Sequence, residues 1–227
     1  MLLITPAWIV KKDALREAVD GLGTRDAMLI AILSQASNAE LLEFGKDAKL
    51  RQNVVSDVSG EYKKVVEQLL QGTRPEWGAI APEAAADLAH RFYKAGEGKI
   101  GTDESSYISI ILNNSREALY QVNHVYKEKH KHDLKTAIKK ETSGNFKRIL
   151  CALLTPRHEF FADKLRKAMK GAGTNERMLN FVFSTLDRGE IAAVAQVYKE
   201  KFKVSLKDDI KGDTSGCYQE LLLKLVD

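Results

Sequence analysis

The feature of this sequence best suited to chemistry is a glycine-rich loop that occurs three times, each time followed at a distance by a carboxylate. The loops, of the form Gly-x-Gly-Thr or a looser variant, occupy residues 21–24, 98–102 and 171–174. In the last two copies Glu141 and Asp213 each follow the last loop glycine by 40 residues, whereas Asp57 of the first copy follows by 34. Three copies with paired carboxylates predict a repeated site.

Oxygen ligands of this kind suit Ca²⁺. A helix ends with about four carbonyls that lack intrahelical partners, and glycines let the chain turn so that several carbonyls face one point. In the third copy the carbonyls of Met169, Gly171 and Gly173 would join the Asp213 carboxylate, which we expect in the loop between the fourth and fifth helices. These give about five oxygens of the roughly six to eight that Ca²⁺ takes, so a lipid phosphate oxygen can complete the shell.

Two other interpretations of the loops have to be considered. A glycine at a helix end followed by threonine at the next helix start is also ordinary punctuation between helices, and this remains the alternative, above all for the first copy. A nucleotide-binding loop fits poorly, because no Gly-Lys-Ser/Thr follows the glycines and no strand precedes them. Soft or redox metals are disfavoured, since neither cysteine nor histidine belongs to the pattern.

Apolar periodicity predicts an all-α protein of three repeated five-helix bundles. The loop threonine and the carboxylate both shift by 72 residues from the second copy to the third, which sets a repeat of about 70 residues. Five helices are predicted in the third copy, at residues 157–169, 174–185, 189–202, 205–210 and 215–225. Thr174 would begin the second of them. Such short amphipathic helices must pack together to bury their apolar stripes.

The predicted organisation is a shortened repeat at residues 1–74, a linker at 75–83, and two further repeats at 84–155 and 156–227. Prolines and glycines mark the linker. The first repeat lacks length between Glu43 and Val54, where the short fourth helix should be, and this deletion could displace Asp57.

Composition agrees with a soluble globular protein. The chain has 227 residues, of which 44% are hydrophobic and 29% charged, and its net charge of +4 favours anionic surfaces only weakly. Neither a secretion signal nor a membrane-spanning run is expected. We interpret Cys151 and Cys217 as buried free thiols, which fits a cytoplasmic location.

The loops and their spacing resemble the annexin family, whose repeats of about 70 residues contain five helices, a Lys-Gly-x-Gly-Thr loop and an acidic residue about 40 positions later. The segment 95–104 is similar to the third annexin repeat, and 169–174 with 212–216 to the fourth. Residues 3–6 and 22–24 would then belong to the second repeat. The first repeat would be absent, as in a natural short form, a fragment or one part of a processed chain.

The resemblance implies Ca²⁺-dependent, reversible binding to acidic phospholipid membranes. In the second copy it implies the carbonyls of Gly96, Lys99 and Gly101 as Ca²⁺ ligands, with Glu141. In the first copy it implies those of Val19, Gly21 and Gly23, with Asp57. It places the protein in the cytoplasm, and on the membrane surface when Ca²⁺ is bound.

Apolar residues occupy the tips of the three loops, at Leu22, Ile100 and Ala172. Such tips can enter the headgroup region of a membrane, and Ile100 is the best candidate for this contact. The alternative is a side chain folded back on its own bundle.

The main rival function is a Ca²⁺-independent helical scaffold that binds cytoskeletal or other protein partners. It rests on a basic stretch comprising Lys127, Lys129, His130, Lys131, His132, Lys135, Lys139 and Lys140. A run of this kind is also typical of a solvated helix face. We do not expect nucleic-acid binding, because stacking aromatics are not interleaved with the lysines, nor an enzyme, because no catalytic constellation surrounds the histidines.

Overall fold

A computed structural model describes residues 5–21, 23–171 and 173–227, and within these ranges the chain forms fifteen α-helices, five in each copy, and no strands. In the first copy these are α1 (Ala7–Ala18), α2 (Asp26–Gln35), α3 (Asn38–Lys46), α4 (Ala48–Ser56) and α5 (Gly60–Leu69). In the second they are α6 (Pro82–Ala95), α7 (Glu104–Leu112), α8 (Arg116–His130), α9 (Leu134–Glu141) and α10 (Gly144–Leu153). In the third they are α11 (Arg157–Met169), α12 (Glu176–Thr185), α13 (Arg188–Phe202), α14 (Leu206–Asp213) and α15 (Gly216–Val226).

The all-α fold of repeated bundles is therefore confirmed. In the third copy the predicted helices are found with ends shifted by at most three residues. The second helix begins at Glu176, because the Asn175 side chain caps it by accepting a hydrogen bond from the Met178 amide. Thr174 thus lies outside the helix that it was expected to begin.

The helices group into two compact units, and the division falls inside α1. The larger unit runs from Leu15 to Leu154. In it α2 packs against α5 and α10, and residues 28–35 of α2 are all buried. The buried amide of Gln35 donates to the Ala152 carbonyl over 3.1 Å, which satisfies a polar group inside this core.

The smaller unit contains Thr155–Asp227 and the described residues before Leu15. In it α11 packs against α12, α13 and α14. Phe161 and Leu165 on α11 and Tyr198 on α13 are almost completely buried, so α11 carries the centre of this core. The loop of the third copy begins at the end of this well-buried helix.

The first copy is shortened in α3, not in α4 as predicted. Helix α3 has nine residues, whereas its counterparts α8 and α13 have fifteen. Asp47 explains how α4 survives, because it ends α3 and caps α4 through a hydrogen bond of 3.1 Å from the Leu50 amide. The same carboxylate lies 2.9 Å from the Arg16 guanidinium, which ties the start of α4 to α1.

The two cysteines differ in their exposure to solvent. Cys151 is half-buried, but Cys217 in the first turn of α15 is exposed, so the prediction of a buried thiol is wrong for Cys217. It fails because this side of the first turn of α15 faces solvent.

In the described part of the chain no helix combines the length and apolar character needed to cross a membrane.

Candidate calcium site

Each glycine-rich loop connects the first and second helices of its copy and is closed by the same backbone hydrogen bond. In the third copy the Asn175 amide donates to the Ala168 carbonyl over 2.8 Å. The equivalent bonds join Arg25 to Ala18 at 2.8 Å and Asp103 to Ala95 at 2.6 Å. The closure uses the carbonyl of the alanine in the last turn of the helix, so the carbonyls beyond it are held within a short, fixed loop.

The loop threonine joins each loop to its distant carboxylate. The Thr174 hydroxyl donates to the Asp213 carbonyl over 2.9 Å. The same bond joins Thr24 to Asp57 and Thr102 to Glu141, at 3.1 Å in both. Because this contact spans 33 to 39 residues, it brings the end of the fourth helix of each copy against the loop.

The carboxylates occupy equivalent positions at the ends of these fourth helices. Glu141 and Asp213 are the last residues of α9 and α14, one step earlier than the connecting loop in which Asp213 was expected. Asp57 immediately follows α4, and its Oδ2 atom lies 3.1 Å from the Thr24 hydroxyl. The six-residue deletion shortens α3 and not α4, so Asp57 still lies beside the first loop.

The last glycine of each loop has a positive φ, 86° at Gly23, 77° at Gly101 and 86° at Gly173. A Cβ atom at any of the three would meet no atom of the described residues within 4 Å, so the requirement for glycine is one of backbone conformation and not of space. This conformation, which L-residues rarely adopt, lets the chain turn sharply between the two helices.

The third copy shows the most direct fit to a cation. Asp213 Oδ2 is buried and has no hydrogen-bond partner among the described residues, which is unfavourable for a carboxylate oxygen unless something positive satisfies it. In the described residues no group of three or more His, Cys, Asp and Glu side chains could hold a metal. A site here would consist of one carboxylate and backbone oxygens, a donor set that suits Ca²⁺ and not Zn²⁺.

The whole connection between α6 and α7, residues 96–103, is called the second loop from here on, and it has an anchor that sequence reasoning missed. Glu97, between two loop glycines, accepts hydrogen bonds from the Tyr126 hydroxyl at 2.6 Å and the Lys140 ammonium at 3.0 Å, and its Oε2 lies 2.8 Å from His132 Nε2. Burial alone would raise the pKa of Glu97, but these three partners outweigh burial and lower the pKa to about 2. The available signal was a lone carboxylate in a glycine loop, in a copy that also carries a basic stretch.

The same contacts change the interpretation of that basic stretch. Lys140 and His132 point to Glu97, and the Lys131 ammonium donates to the Glu128 carbonyl over 3.0 Å. At least these three side chains are held by intramolecular contacts and do not simply form a solvated helix face.

Comparison with known proteins identifies the family. The annexin family model matches residues 88–153 and 160–225, which lie in the second and third copies. Annexin A13 of Canis lupus familiaris is 33% identical over 93% of this chain and 70% of its own length. This chain belongs to the annexin family. Annexin A7 of Homo sapiens is 36% identical over the whole of this chain and 48% of its own length.

Solved annexin structures agree with this assignment. A structure of annexin III superposes with a TM-score of 0.91 at 30% identity, covering 99% of this chain and 73% of the other. Chicken annexin V in complex with Zn²⁺ gives 0.88 at 29% identity, covering 99% and 74%. The chain spans about half the length of the curated annexins A11 and A7 of Homo sapiens that it matches.

The annexin ligand set can be compared with the geometry. The side chains of Val19 and Met169 are buried, so only their carbonyls are available to an ion. The Gly96 carbonyl already accepts a hydrogen bond of 3.0 Å from the Lys99 amide, which leaves it one lone pair. The Ile100 side chain is completely exposed and is not folded back on the bundle. Leu22 and Ala172 lie outside the described residues.

Proposed function

We propose that this annexin binds acidic phospholipid membranes reversibly and only when Ca²⁺ is present. The observation that carries the proposal is the hydrogen bond from the loop threonine to the carboxylate-bearing residue, which recurs in all three copies. Membership of a family of Ca²⁺-dependent phospholipid-binding proteins supports it. The protein would act by binding and not as an enzyme, in the cytoplasm and at the membrane surface when Ca²⁺ rises.

The chain itself supplies fixed oxygen atoms. In the third copy the carbonyls of Met169, Gly171 and Gly173 would act with the Asp213 carboxylate, and in the second those of Gly96, Lys99 and Gly101 with Glu141. The first copy would use Val19, Gly21 and Gly23 with Asp57. Bound Ca²⁺ would bridge these oxygens to the phosphate of a lipid headgroup, because the protein provides fewer ligands than the ion takes.

The tip of the second loop would add an apolar contact. Ile100 is fully exposed at the point of the loop, between Lys99 and the reversing glycine Gly101. Placed against a bilayer, this side chain would enter the headgroup boundary while Lys99 faces anionic lipid. Leu22 and Ala172 would make the corresponding contacts in the other two copies.

The test is sedimentation with vesicles of phosphatidylserine and phosphatidylcholine across a calcium series, followed by addition of chelator. The combined change Glu141→Gln and Asp213→Asn should raise the calcium needed for half-maximal pelleting by at least about tenfold, since each change removes an anionic ligand. The matched control is Glu83→Gln with Asp87→Asn. It removes two negative charges from the N-terminal half of α6, whereas the second loop follows the C-terminal end of α6. This control should leave pelleting unchanged.

Two outcomes would contradict the proposal. Unchanged pelleting by the Glu141 and Asp213 variant would show that the ligands are wrong. Salt-sensitive pelleting that ignores chelator, or none at any calcium level, would favour the Ca²⁺-independent scaffold with a cytoskeletal or other protein partner.

A further inference from the structure

Glu97 is held more firmly than an ordinary loop carboxylate. Its side chain is only 14% exposed. It makes polar contacts with Tyr126 of α8, His132 in the turn after α8 and Lys140 of α9. Tyr126, which donates the shortest of these bonds, is itself completely buried. Three elements outside the loop therefore fix one residue inside it.

The neighbours of Glu97 in the loop are packed on both sides. The Gly98 amide donates to the Tyr93 carbonyl over 2.8 Å, and the Tyr93 ring stacks on His130 at 4.3 Å. A Cβ atom at Gly96 would lie 2.0 Å from the Tyr107 hydroxyl oxygen and 2.9 Å from Glu141 Cγ. The segment around Glu97 thus touches the carboxylate-bearing side chain directly.

In the described parts of the other two loops no carboxylate is anchored as Glu97 is. Asp20 lies two residues after Ala18, as Glu97 lies two residues after Ala95, but Asp20 is exposed. In the third copy Tyr198 corresponds to Tyr126, 72 residues later, but its hydroxyl donates to Asp209 of α14 and not to the loop. In the first copy α3 is too short to contain a counterpart of Tyr126. This difference between the copies provides an internal control.

We propose that Glu97 is a positioning residue that holds the second loop in its Ca²⁺-binding conformation before the ion arrives. This inference rests on the proposed function. A loop that is already ordered loses less conformational freedom when it binds, so the anchor should strengthen Ca²⁺ binding at Glu141 without touching the ion. The loop of the third copy gains nothing from its own tyrosine.

The experiment isolates one loop at a time. A protein carrying Asp57→Asn and Asp213→Asn retains only the carboxylate of the second copy, and calcium titration by calorimetry gives its Kd. Tyr126→Phe is then added, because it removes a donor to Glu97 while leaving the charge of Glu97 in place. Glu97→Gln serves as a second variant. The matched control is Tyr198→Phe in a protein that retains only Asp213, through Asp57→Asn and Glu141→Gln.

Tyr126→Phe should raise the Kd roughly three- to tenfold, the size expected when the net contribution of one hydrogen bond is lost. It should also speed hydrogen exchange of the Gly98 and Lys99 amides in calcium-free protein, which a change in ion contacts alone would not do. Tyr198→Phe should leave its Kd unchanged.

An unchanged Kd and unchanged amide exchange in both Tyr126→Phe and Glu97→Gln would overturn the positioning role while leaving the proposed function intact. Equal weakening by Tyr198→Phe would also overturn it, because the effect would then be general to the fold. No calcium binding by the parent protein with only Glu141 would instead refute the proposed function at this loop.

Discussion

Two glycines of the third copy, Gly173 and Gly212, have opposite backbone requirements. Gly173 has a φ of 86°, which an L-residue adopts at a cost of about 1–2 kcal/mol, whereas Gly212 lies in α14 with a negative φ. A Cβ atom would meet nothing within 4 Å at either position. Gly173→Ala should therefore lower the free energy of unfolding by about 1–2 kcal/mol, and Gly212→Ala should raise it by about 0.5 kcal/mol.

Urea denaturation of the two alanine variants checks this pair, with calcium absent so that only the chain is measured. Calcium titration should then show weaker binding for Gly173→Ala alone, because its carbonyl is displaced. Equal stability of the two variants would show that the positive φ is not required.

The sequence predicts the chain turn at Gly173 but not the role of the loop threonine. A glycine next to a helix end indicates a residue with positive φ within a few positions, so the neighbouring sequence is sufficient to predict the turn. Thr174, by contrast, bonds to Asp213, which is 39 residues away, and a threonine before a helix is more often a cap. Asn175 caps the helix instead. The bond from Thr174 to Asp213 depends on the packing of α14 against the loop, which the local sequence does not show.

At the scale of helices, the end of α9 carries Glu141, so the stability of α9 bears on the site. Its cap Asp133 accepts hydrogen bonds from Thr136, with a distance of 2.7 Å from the backbone amide. Burial would raise the pKa of Asp133, but the bonds from the Thr136 hydroxyl and amide outweigh burial and lower it. The unfolded chain therefore binds a proton more readily than the folded protein does.

It follows that Asp133 contributes stability above its unfolded pKa of about 3.9, and loses that contribution as the pH falls through its lower folded pKa. Asp133→Ala should lower the free energy of unfolding by about 1 kcal/mol at pH 7, and by less below pH of about 4. Ser205→Ala removes the equivalent cap of α14, whose hydroxyl accepts from the Asp208 amide at 3.1 Å and does not titrate. Denaturation at several pH values should show a constant loss for Ser205→Ala, and a constant loss for Asp133→Ala would contradict the argument.

The shortened first copy shows where helix prediction from sequence fails. The sequence predicts the missing length between Glu43 and Val54, where the short fourth helix should be. The structure removes it from α3 because Asp47 can end one helix and cap the next, leaving α4 with nine residues. Apolar periodicity locates helices, but it does not show which of two adjacent helices is shortened by a deletion.

At the scale of the whole chain, repetition made most of the fold predictable. A shift of 72 residues aligns Thr102 with Thr174 and Glu141 with Asp213, and the structure shows the same hydrogen bond at both places. What repetition could not predict is where the copies differ. Within the described residues, the second copy alone has an anchored carboxylate of this kind. It depends on contacts of Tyr126, His132 and Lys140 with a loop that is one residue longer than the other two.

The proposed sites also predict how calcium changes the stability of the whole protein. An ion that binds only the folded chain stabilises it by about 2.7 kcal/mol per site when its free concentration is 100 times Kd. For a protein of this size that corresponds to a rise in Tm of roughly 5–10 °C, which chelator should reverse. Mg²⁺ at the same concentration should do much less, because it demands near-ideal octahedral geometry and gives up its water reluctantly, whereas Ca²⁺ accepts a flexible set of carbonyl and carboxylate oxygens. Thermal unfolding followed by circular dichroism checks this, with Glu141→Gln and Asp213→Asn as the variant that should lose most of the shift. An equal shift with Mg²⁺, or a full shift in that variant, would mean that calcium acts through general charge screening and not at the three loops.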